Sequence, residues 1–524
     1  NGPGASSSAA PAARAHSWHV PLAILLGGAA LITGCVLWPD VEGGHRSLAT
    51  VSACVLTFLL FMGWVWFYSG FHLVVRIGSF LVVVVVCVLF RLEGYSGDLH
   101  PKFTWRFKSK KDVALADKLS ASSDRSESQP IDLAKTTKDD FPQFLGPHRD
   151  AKIAGVRLAR DWSQIPRCLW RQPIGAGWSG FAVVGEFAVT QEQRGEEELV
   201  VCYELLTGKV RWSHADHVRF TSVMGGDGPR STPTIHEGRV YTLGATGLLN
   251  CLDGANGKLL WSHDIVKENE AAPLMWGHSC SPLVVDDGIV VSSGGLDHNS
   301  LVSYHKDTGA LLWHGGSSPA SYASPVLATL SGQRQIIMVN SNDVMGHDPA
   351  TGKIVWHFDW PGDQPKVPQP IVVGSDRVLI SAGYGLGCQM LKVLPNRNRE
   401  ESIEKLWSSR ALKPKFMNPI AHEGFVYGID DGAALTCLDL ETGKRQWRGG
   451  RYGHGQMLLV GDLLLLQSEA GEMLLIEASP STHRELGRFQ AVGEKAWNTP
   501  ALSGRHLLVR NHEEAACYEL PLAE

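Results

Sequence analysis

Large aromatic and cationic side chains recur in this chain at or beside one repeated position, three residues before a proline or the residue that takes its place. The proline follows a small polar residue, as in the STP that begins at Ser231 and the NP that begins at Asn418. Flat rings and cations gathered in one place could hold a planar anionic ligand by stacking and charge. The alternative is that the rings only pack against one another. The candidate binding residues are Trp178, Arg230, His278, Tyr322, Lys415, His454, Trp497 and Asn498.

A short repeated unit accounts for the recurrence of that position. The unit reads TCLDLETGKRQW at 436–447, and four further copies also place a glycine four residues before a tryptophan. In each copy an apolar, β-prone run ends in a polar turn, where glycine can take a positive φ without steric cost. A second short strand then ends in the tryptophan, so each copy predicts a β-hairpin. The five glycines are Gly208, Gly257, Gly309, Gly352 and Gly443.

The aromatic residues that end these units predict how many there are. They stand 40 to 52 residues apart, and no unit could bury its tryptophan alone, so the units must stack as an array. This period, with about four short strands per copy, is typical of a β-propeller. One copy carries an insertion at 394–405, and the last has lost its Thr-Gly turn. The eight positions, which predict eight blades, are Trp170, Trp212, Trp261, Trp313, Trp356, Trp407, Trp447 and Phe489.

The two ends of the array are expected to share one blade. AACYELP, at 515–521, has the first half of the unit without its tryptophan strand, and CLWRQPI, at 168–174, supplies that strand. Pairing them would close the ring and remove an exposed sheet edge. Because the innermost strands of a propeller line a central channel, the candidate binding residues are predicted to surround one mouth of that channel.

Three apolar runs precede the array, at 18–38, 48–68 and 71–92. Each approaches the ~20 apolar residues that cross a bilayer, and a cleaved signal peptide would explain only one of them. Next, GYSGDLHPKFTWRF, at 94–107, sets four aromatic residues among basic ones, which favours a membrane-surface anchor over a docking site. We predict an all-β fold, an eight-bladed β-propeller preceded by a small α-helical transmembrane region. The predicted domains are an N-terminal tail at 1–16, a membrane region with three transmembrane helices at 17–92, a juxtamembrane segment and linker at 93–140, and the propeller at 141–524.

Composition and motifs argue against several functions. The net charge of −5 gives no electrostatic support for nucleic-acid binding. The chain has no CxxC or HExxH motif, so no metal site is predicted. The glycine run GYGLG, at 383–387, is not followed by a helical pattern and indicates a turn. No residue is identified as catalytic.

The repeats at 141–524 resemble the PQQ-like β-propeller family, which includes the BamB outer-membrane assembly lipoproteins and the quinoprotein alcohol and glucose dehydrogenases. The likeness is carried by the LDxxTGKxxW units and by the lead-in FPQFLGPHRD at 141–150. It implies the propeller fold, but not one activity, because this architecture hosts unrelated functions.

The dehydrogenase branch implies PQQ, a calcium ion and an aspartate base. Calcium needs 6–8 oxygen ligands, yet the acidic residues expected near the mouth are few, chiefly Asp227 and Glu494. No two cysteines are adjacent, unlike in many alcohol dehydrogenases. Membrane-bound glucose dehydrogenase does share the arrangement of N-terminal membrane helices before a propeller. We therefore expect no cofactor, with PQQ and calcium as the alternative.

Three functions follow as hypotheses. The first is a membrane-anchored, non-catalytic scaffold or assembly factor that binds another protein at the mouth loops or the rim. The others are a PQQ-dependent membrane-bound dehydrogenase and a sensor of a small ligand. The family resemblance and the acidic loop at 39–47 place the propeller in the periplasm or outside, with the helices in the inner membrane. Basic residues at 102–111 argue for the opposite orientation.

Overall fold

The computed structural model describes residues 18–38, 43–108, 115, 131–395, 401–493 and 495–523. These residues divide into two compact units, one ending at Lys108 and the other beginning at Ser109.

The first unit holds three apolar helices and a β-hairpin. The helices are α1 (His19–Leu37), α2 (Gly43–Gly63), which continues through a π-helical turn at Trp64–Tyr68, and α3 (Leu73–Leu89). Two of them, over His19–Leu37 and Gly44–Tyr68, are long and apolar enough to cross a membrane, a test that an N-terminal signal sequence also passes. The third apolar run was expected to continue to residue 92, but α3 has 17 residues and stops at Leu89. A hairpin of β1 (Phe90–Tyr95) and β2 (Pro101–Trp105) follows at once and crosses the predicted boundary between the membrane region, which was expected to end at residue 92, and the linker.

The second unit is an eight-bladed β-propeller, which confirms the predicted fold. Blades are numbered here in the chain order of their innermost strands, and each has four antiparallel strands. Two strands precede the first blade, β3 (Lys152–Ile153) and β4 (Arg167–Pro173). Blades 1 and 2 are built from β5 (Ala182–Val184), β6 (Phe187–Arg194), β7 (Glu197–Glu204) and β8 (Val210–Asp216), then β9 (Thr234–His236), β10 (Arg239–Leu243), β11 (Leu248–Asp253) and β12 (Leu259–Asp264). A single helical turn, α4 (Ile265–Glu268), follows blade 2.

The middle blades repeat this arrangement. Blades 3 and 4 are built from β13 (Leu283–Val285), β14 (Gly288–Ser292), β15 (Leu301–His305) and β16 (Leu311–Gly315), then β17 (Val326–Leu330), β18 (Gln333–Val339), β19 (Asp343–His347) and β20 (Ile354–Asp359). Blades 5 and 6 are built from β21 (Ile371–Val373), β22 (Arg377–Ala382), β23 (Gly387–Val393) and β24 (Ile403–Ser409), then β25 (Ile420–His422), β26 (Phe425–Ile429), β27 (Leu435–Asp439) and β28 (Arg445–Gly449).

The last two blades complete the ring. Blade 7 is built from β29 (Gln456–Val460), β30 (Leu463–Gln467), β31 (Glu472–Glu477) and β32 (Glu485–Gln490), with β3 added parallel to β29. Blade 8 is built from β33 (Ala501–Ser503), β34 (His506–Arg510), β35 (Glu514–Glu519) and, as its outer strand, β4. Trp170 of β4 lies opposite Cys517 of β35, so the first strand of the ring closes the last blade as predicted.

The glycine and tryptophan of the repeat contact each other between blades, not within one hairpin. Gly257 has φ +73, and a Cβ added to it would lie 2.5 Å from the Trp212 ring of the preceding blade. The Trp212 indole N–H donates to the carbonyl of Gly254 in the same turn, at 2.9 Å. The glycine is therefore needed both for its backbone conformation and for the ring that lies on it. This joint between neighbouring blades recurs at Trp170, Trp261, Trp313 and Trp407 with the turns that follow them.

Blade 5 has lost this joint, and the reason is its insertion. The outer turn of blade 5 has no Thr-Gly. Trp356, in the outer strand of blade 4, instead donates its indole N–H to Gln335 of blade 4. Part of the insertion, at 396–400, lies outside the described residues.

Residues 131–140, in the predicted linker, lie on the propeller in the structure. Ile131 and Leu133 are buried among side chains of blades 1 and 2, and the Asp140 carboxylate accepts from the Gly185 amide at 2.9 Å. The rest of the predicted linker between Lys108 and Ile131 lies outside the described residues, apart from residue 115.

Candidate functional site

All eight predicted site residues lie in connections that lead from the outer strand of one blade to the inner strand of the next. Because the strands of each blade run antiparallel, these connections emerge on one face of the ring. The loops between second and third strands emerge on the same face. The structure thus collects the predicted residues around one mouth of the channel, in two main groups.

The first group is a chain of aromatic rings. The Trp178 and Trp497 rings lie with centroids 4.8 Å apart, Phe416 is 5.0 Å from Trp497, and His454 is 5.6 Å from Phe416. The Lys495 ammonium group lies 4.6 Å from the centre of the Trp497 ring and 5.3 Å from that of Trp178. Cation–π attraction therefore adds to the packing of these rings.

Two polar residues hold the first group in position. Glu469, in the loop between the second and third strands of blade 7, accepts from the Trp497 indole N–H and from the His454 amide, both at 3.1 Å. Asn498 is buried and donates to the carbonyls of Gly177 and Ser179, at 3.2 and 2.8 Å. Sequence reasoning missed Glu469, because it does not stand at the repeated position before a proline.

The second group surrounds Tyr322 and Lys415. The Trp276 ring lies 5.2 Å from Tyr322 and 6.3 Å from Tyr384, and the Lys415 ammonium group lies 5.3 Å from the centre of the Tyr384 ring. Trp276 and Tyr384 were not predicted as site residues. Tyr384 lies in the GYGLG turn, where Asp431 accepts from its amide at 3.0 Å, so this glycine run is a mouth loop without a helix after it.

Arg230, one of the predicted binding residues, directs its guanidinium to its own loop. It donates to the carbonyls of Gly225, Gly226 and Gly228 and lies 4.5 Å from the centre of the Phe220 ring. Burial lowers the pKa of Arg230 to about 10, so it keeps its charge at neutral pH. In this arrangement the arginine fixes the shape of loop 217–230.

His278 is buried in the connection between blades 2 and 3. Its amide donates to the Ala245 carbonyl at 2.9 Å, and burial lowers its pKa to about 4, so the imidazole is neutral at pH 7. Its Nε2 atom has no hydrogen-bond partner within the part of the chain that the structure describes. This placement gives the histidine a packing role.

The residues at the mouth do not fit a PQQ–calcium site as they stand. A planar cofactor would have to separate the Trp178 and Trp497 rings, which are in contact. Asp227 pairs with Arg219 at 2.9 Å, and Glu494 lies outside the described residues. Among the described residues there is no group of three His, Cys, Asp or Glu side chains that could hold a metal ion.

Apolar side chains project from the same mouth into solvent. Val223 is 61% exposed, Met224 40%, Met275 75% and Leu296 58%. The first two belong to loop 217–230 and Met275 to the next connection, and these loops meet where Gly225 packs against Trp276. The mouth thus has a closely packed interior and an apolar outer surface.

The architecture is a closed eight-bladed β-propeller preceded by apolar helices, and comparisons with known proteins match the propeller. The family described as outer membrane protein assembly factor BamB matches residues 196–449. An outer membrane protein assembly factor BamB from Moranella endobia (strain PCIT) is 22% identical over 265 residues, 47% of this chain and 64% of that protein. The predicted resemblance to the PQQ-like β-propeller family is therefore confirmed.

Relatives of the enzymatic branch match as well. The dehydrogenase subunit of a quinone alcohol dehydrogenase from Komagataeibacter europaeus is 24% identical over 263 residues, 47% of this chain and 32% of that protein. A europium-containing methanol dehydrogenase has a similar fold, with a TM-score of 0.55 and 13% identity over 71% of this chain and 90% of that one. The chain spans less than two thirds of the length of both curated relatives.

Proposed function

We propose that this chain is a membrane-anchored, non-catalytic propeller that binds another protein through the loops of the channel mouth. One contrast carries the proposal: the Trp178 and Trp497 rings fill the mouth by direct contact, whereas Met275 beside it is 75% exposed. Flexible, polarizable methionine side chains suit adaptable protein surfaces. Exposed apolar groups that lie together are typical of interaction sites.

The hairpin of the first unit supports the membrane part of the proposal. Phe103, Trp105 and Phe107 are 66%, 45% and 68% exposed and alternate with Thr104 and Arg106. The hairpin begins directly after α3, and the Arg106 amide donates to the Leu89 carbonyl at 2.7 Å. Aromatic rings beside cations at the end of an apolar helix suit the headgroup region of a bilayer. We place the helices in the inner membrane and the propeller on the extracytoplasmic side.

Site-specific photocrosslinking tests the docking surface. A benzoylphenylalanine is placed at Met275 in the full chain, in the membranes of its source organism. A matched probe replaces Leu311, which is 55% exposed in the outer strand of blade 3, away from the mouth loops. We expect one discrete protein adduct from position 275, lost in Met224→Glu, and no such adduct from position 311. Equal adducts from both positions, or none from either, would contradict the proposal.

A PQQ-dependent dehydrogenase is the second candidate, favoured by the Lys495 ammonium group that lies against the Trp178 and Trp497 rings at the mouth. Purified protein is titrated with PQQ and calcium while absorbance and reduction of an electron-accepting dye by alcohols or sugars are followed. The scaffold proposal expects no saturable change. Dye reduction that is lost in Trp497→Ala would establish the enzyme instead, and saturable PQQ binding without turnover would favour the ligand sensor.

A further inference from the structure

The lead-in at 141–153, here named the channel segment, lies inside the ring. Phe141 pairs with Val183 of β5, and the Pro142 carbonyl accepts from Ile235 of β9 at 2.8 Å. Further on, the Ala151 carbonyl accepts from Leu459 of β29, also at 2.8 Å. The segment therefore contacts the inner strands of blades 1, 2 and 7, and it leaves space on the side of blades 4 to 6.

The backbone of the channel segment is strained. Leu145, Arg149 and Ala151 have φ values of 60°, 54° and 60°, in the left-handed region that residues other than glycine rarely adopt. Such conformations persist only where the surroundings impose them, and they are frequent at sites that hold ligands. One residue of these strained turns, Arg149, lines a cavity in the channel.

Arg149 is a buried cation whose contacts are all neutral. It is 3% exposed and donates to the carbonyls of Pro282 and Ser281, both at 3.0 Å. Its third contact is the Gln143 amide oxygen, at 3.4 Å. Burial lowers the pKa of Arg149 to about 10, so it is still charged at neutral pH. A buried charge is normally paired with an opposite one, and the Arg149 Nε atom has no hydrogen-bond partner among the residues that are described.

A cavity of about 240 Å³ lies beside Arg149. Leu327, Ala328 and Ile371, from the inner strands of blades 4 and 5, form an apolar wall. Gln369 also lines the cavity, is 4% exposed, and has an amide oxygen without a partner in the described parts of the chain. The cavity is smaller than the roughly 300–1,000 Å³ of common ligand pockets, so it suits a small molecule.

We propose that this cavity binds a small organic carboxylate that carries a hydroxyl or amino group and a short aliphatic chain. The carboxylate accepts from Arg149 Nε and neutralises the buried charge. The hydroxyl or amino group donates to the Gln369 amide oxygen, and the aliphatic chain lies against Leu327 and Ile371. The site is separate from the aromatic groups of the mouth and does not depend on the proposed docking surface.

Calorimetric titration of the full chain in detergent tests the site with three probes. They are 2-hydroxyisovalerate, isovalerate, which lacks the hydroxyl donor, and inorganic phosphate, which lacks the aliphatic chain. We expect saturable binding of 2-hydroxyisovalerate. Isovalerate should bind about tenfold more weakly, because the buried Gln369 oxygen stays unpaired. Phosphate should show no saturable heat.

Two matched variants assign the binding to the cavity. Ala328→Leu fills the cavity from a partly exposed wall position and should abolish binding, whereas Ala310→Leu, in an exposed turn of blade 3, should leave it unchanged. Circular dichroism verifies that both variants fold. The proposal is overturned if 2-hydroxyisovalerate fails to bind, if all three probes bind equally, or if folded Ala328→Leu binds as the unaltered chain does.

Discussion

The indole rings of Trp178 and Trp497 meet at the mouth of the propeller with their centroids 4.8 Å apart and their planes inclined by 39°. Trp178 leads into blade 1 and Trp497 into blade 8, so their contact lies across the joint where the ring closes. Lys495 lies against both rings. The pair that could have held a planar ligand therefore also holds the first and last blades together.

Trp178→Ala should destabilise the propeller. The ring is 9% exposed, and removing a large buried aromatic side chain typically costs roughly 3–5 kcal/mol. Urea unfolding followed by circular dichroism measures the loss. Trp105→Ala, in the hairpin of the first unit and 45% exposed, is the control and should leave the propeller transition in place. A loss below about 1 kcal/mol for Trp178→Ala would mean that the ring does not stabilise the closure.

Gly257→Ala should be much more harmful than the same change at Gly461. Both glycines have positive φ, but a Cβ at 257 would lie 2.5 Å from the Trp212 ring, whereas nothing lies within 4 Å of one at 461. The backbone conformation alone costs roughly 1–2 kcal/mol, and the overlap with the ring adds about 1–3 kcal/mol. Unfolding free energies of the two variants give the difference. Equal losses would show that the contact between blades adds nothing.

Glu198 should make the propeller less stable as the pH rises. Burial raises the pKa of Glu198 from its ordinary value of 4.5 to about 7. Between these values the folded chain holds a proton that the unfolded chain has released, so stability falls with pH across this window. At about 1.4 kcal/mol per pH unit, the total is roughly 3 kcal/mol.

Glu198→Gln should remove that fall. The variant should match the unaltered chain near pH 4.5 and be the more stable of the two at pH 8. Glu186→Gln, on an exposed turn of the same blade, should leave the pH dependence unchanged. His278, whose pKa burial lowers to about 4, contributes stability that rises with pH between about 4 and 6.5. The comparison of variant with unaltered chain cancels that contribution.

The native cysteines should report the orientation of the propeller in the membrane. Cys54 and Cys87 are exposed on the apolar helices, and Cys168 is exposed on the propeller. With a membrane-impermeant maleimide on intact spheroplasts, we expect labelling at Cys168, and none at Cys54 or Cys87, where lipid would cover the thiols. Cys168→Ser is the control and should abolish the signal. Labelling of Cys168 only after lysis would place the propeller in the cytoplasm.

The sequence by itself determined the number of blades and the closure of the ring. Both follow from local and periodic signals, because a turn glycine and a strand-ending tryptophan such as Gly257 and Trp261 recur in five hairpins, and an aromatic residue alone marks each of the other three blades. The apolar runs likewise determined the first two helices. The third run did not determine where α3 ends, because Phe90 and Leu92 suit a strand as well as a helix. Hydrogen bonding to β2 decides in favour of the strand.

Only the tertiary structure decided what the channel contains. Trp276, Tyr384 and Glu469 lie in irregular loops far apart in sequence, so no spacing rule brings them to the mouth, and ring stacking depends on loop paths that no periodicity encodes. The lead-in FPQFLGPHRD was identified only as part of the family resemblance. Its place inside the ring depends on left-handed turns at Leu145 and Arg149, which no local preference favours in non-glycine residues and which the surrounding blades impose.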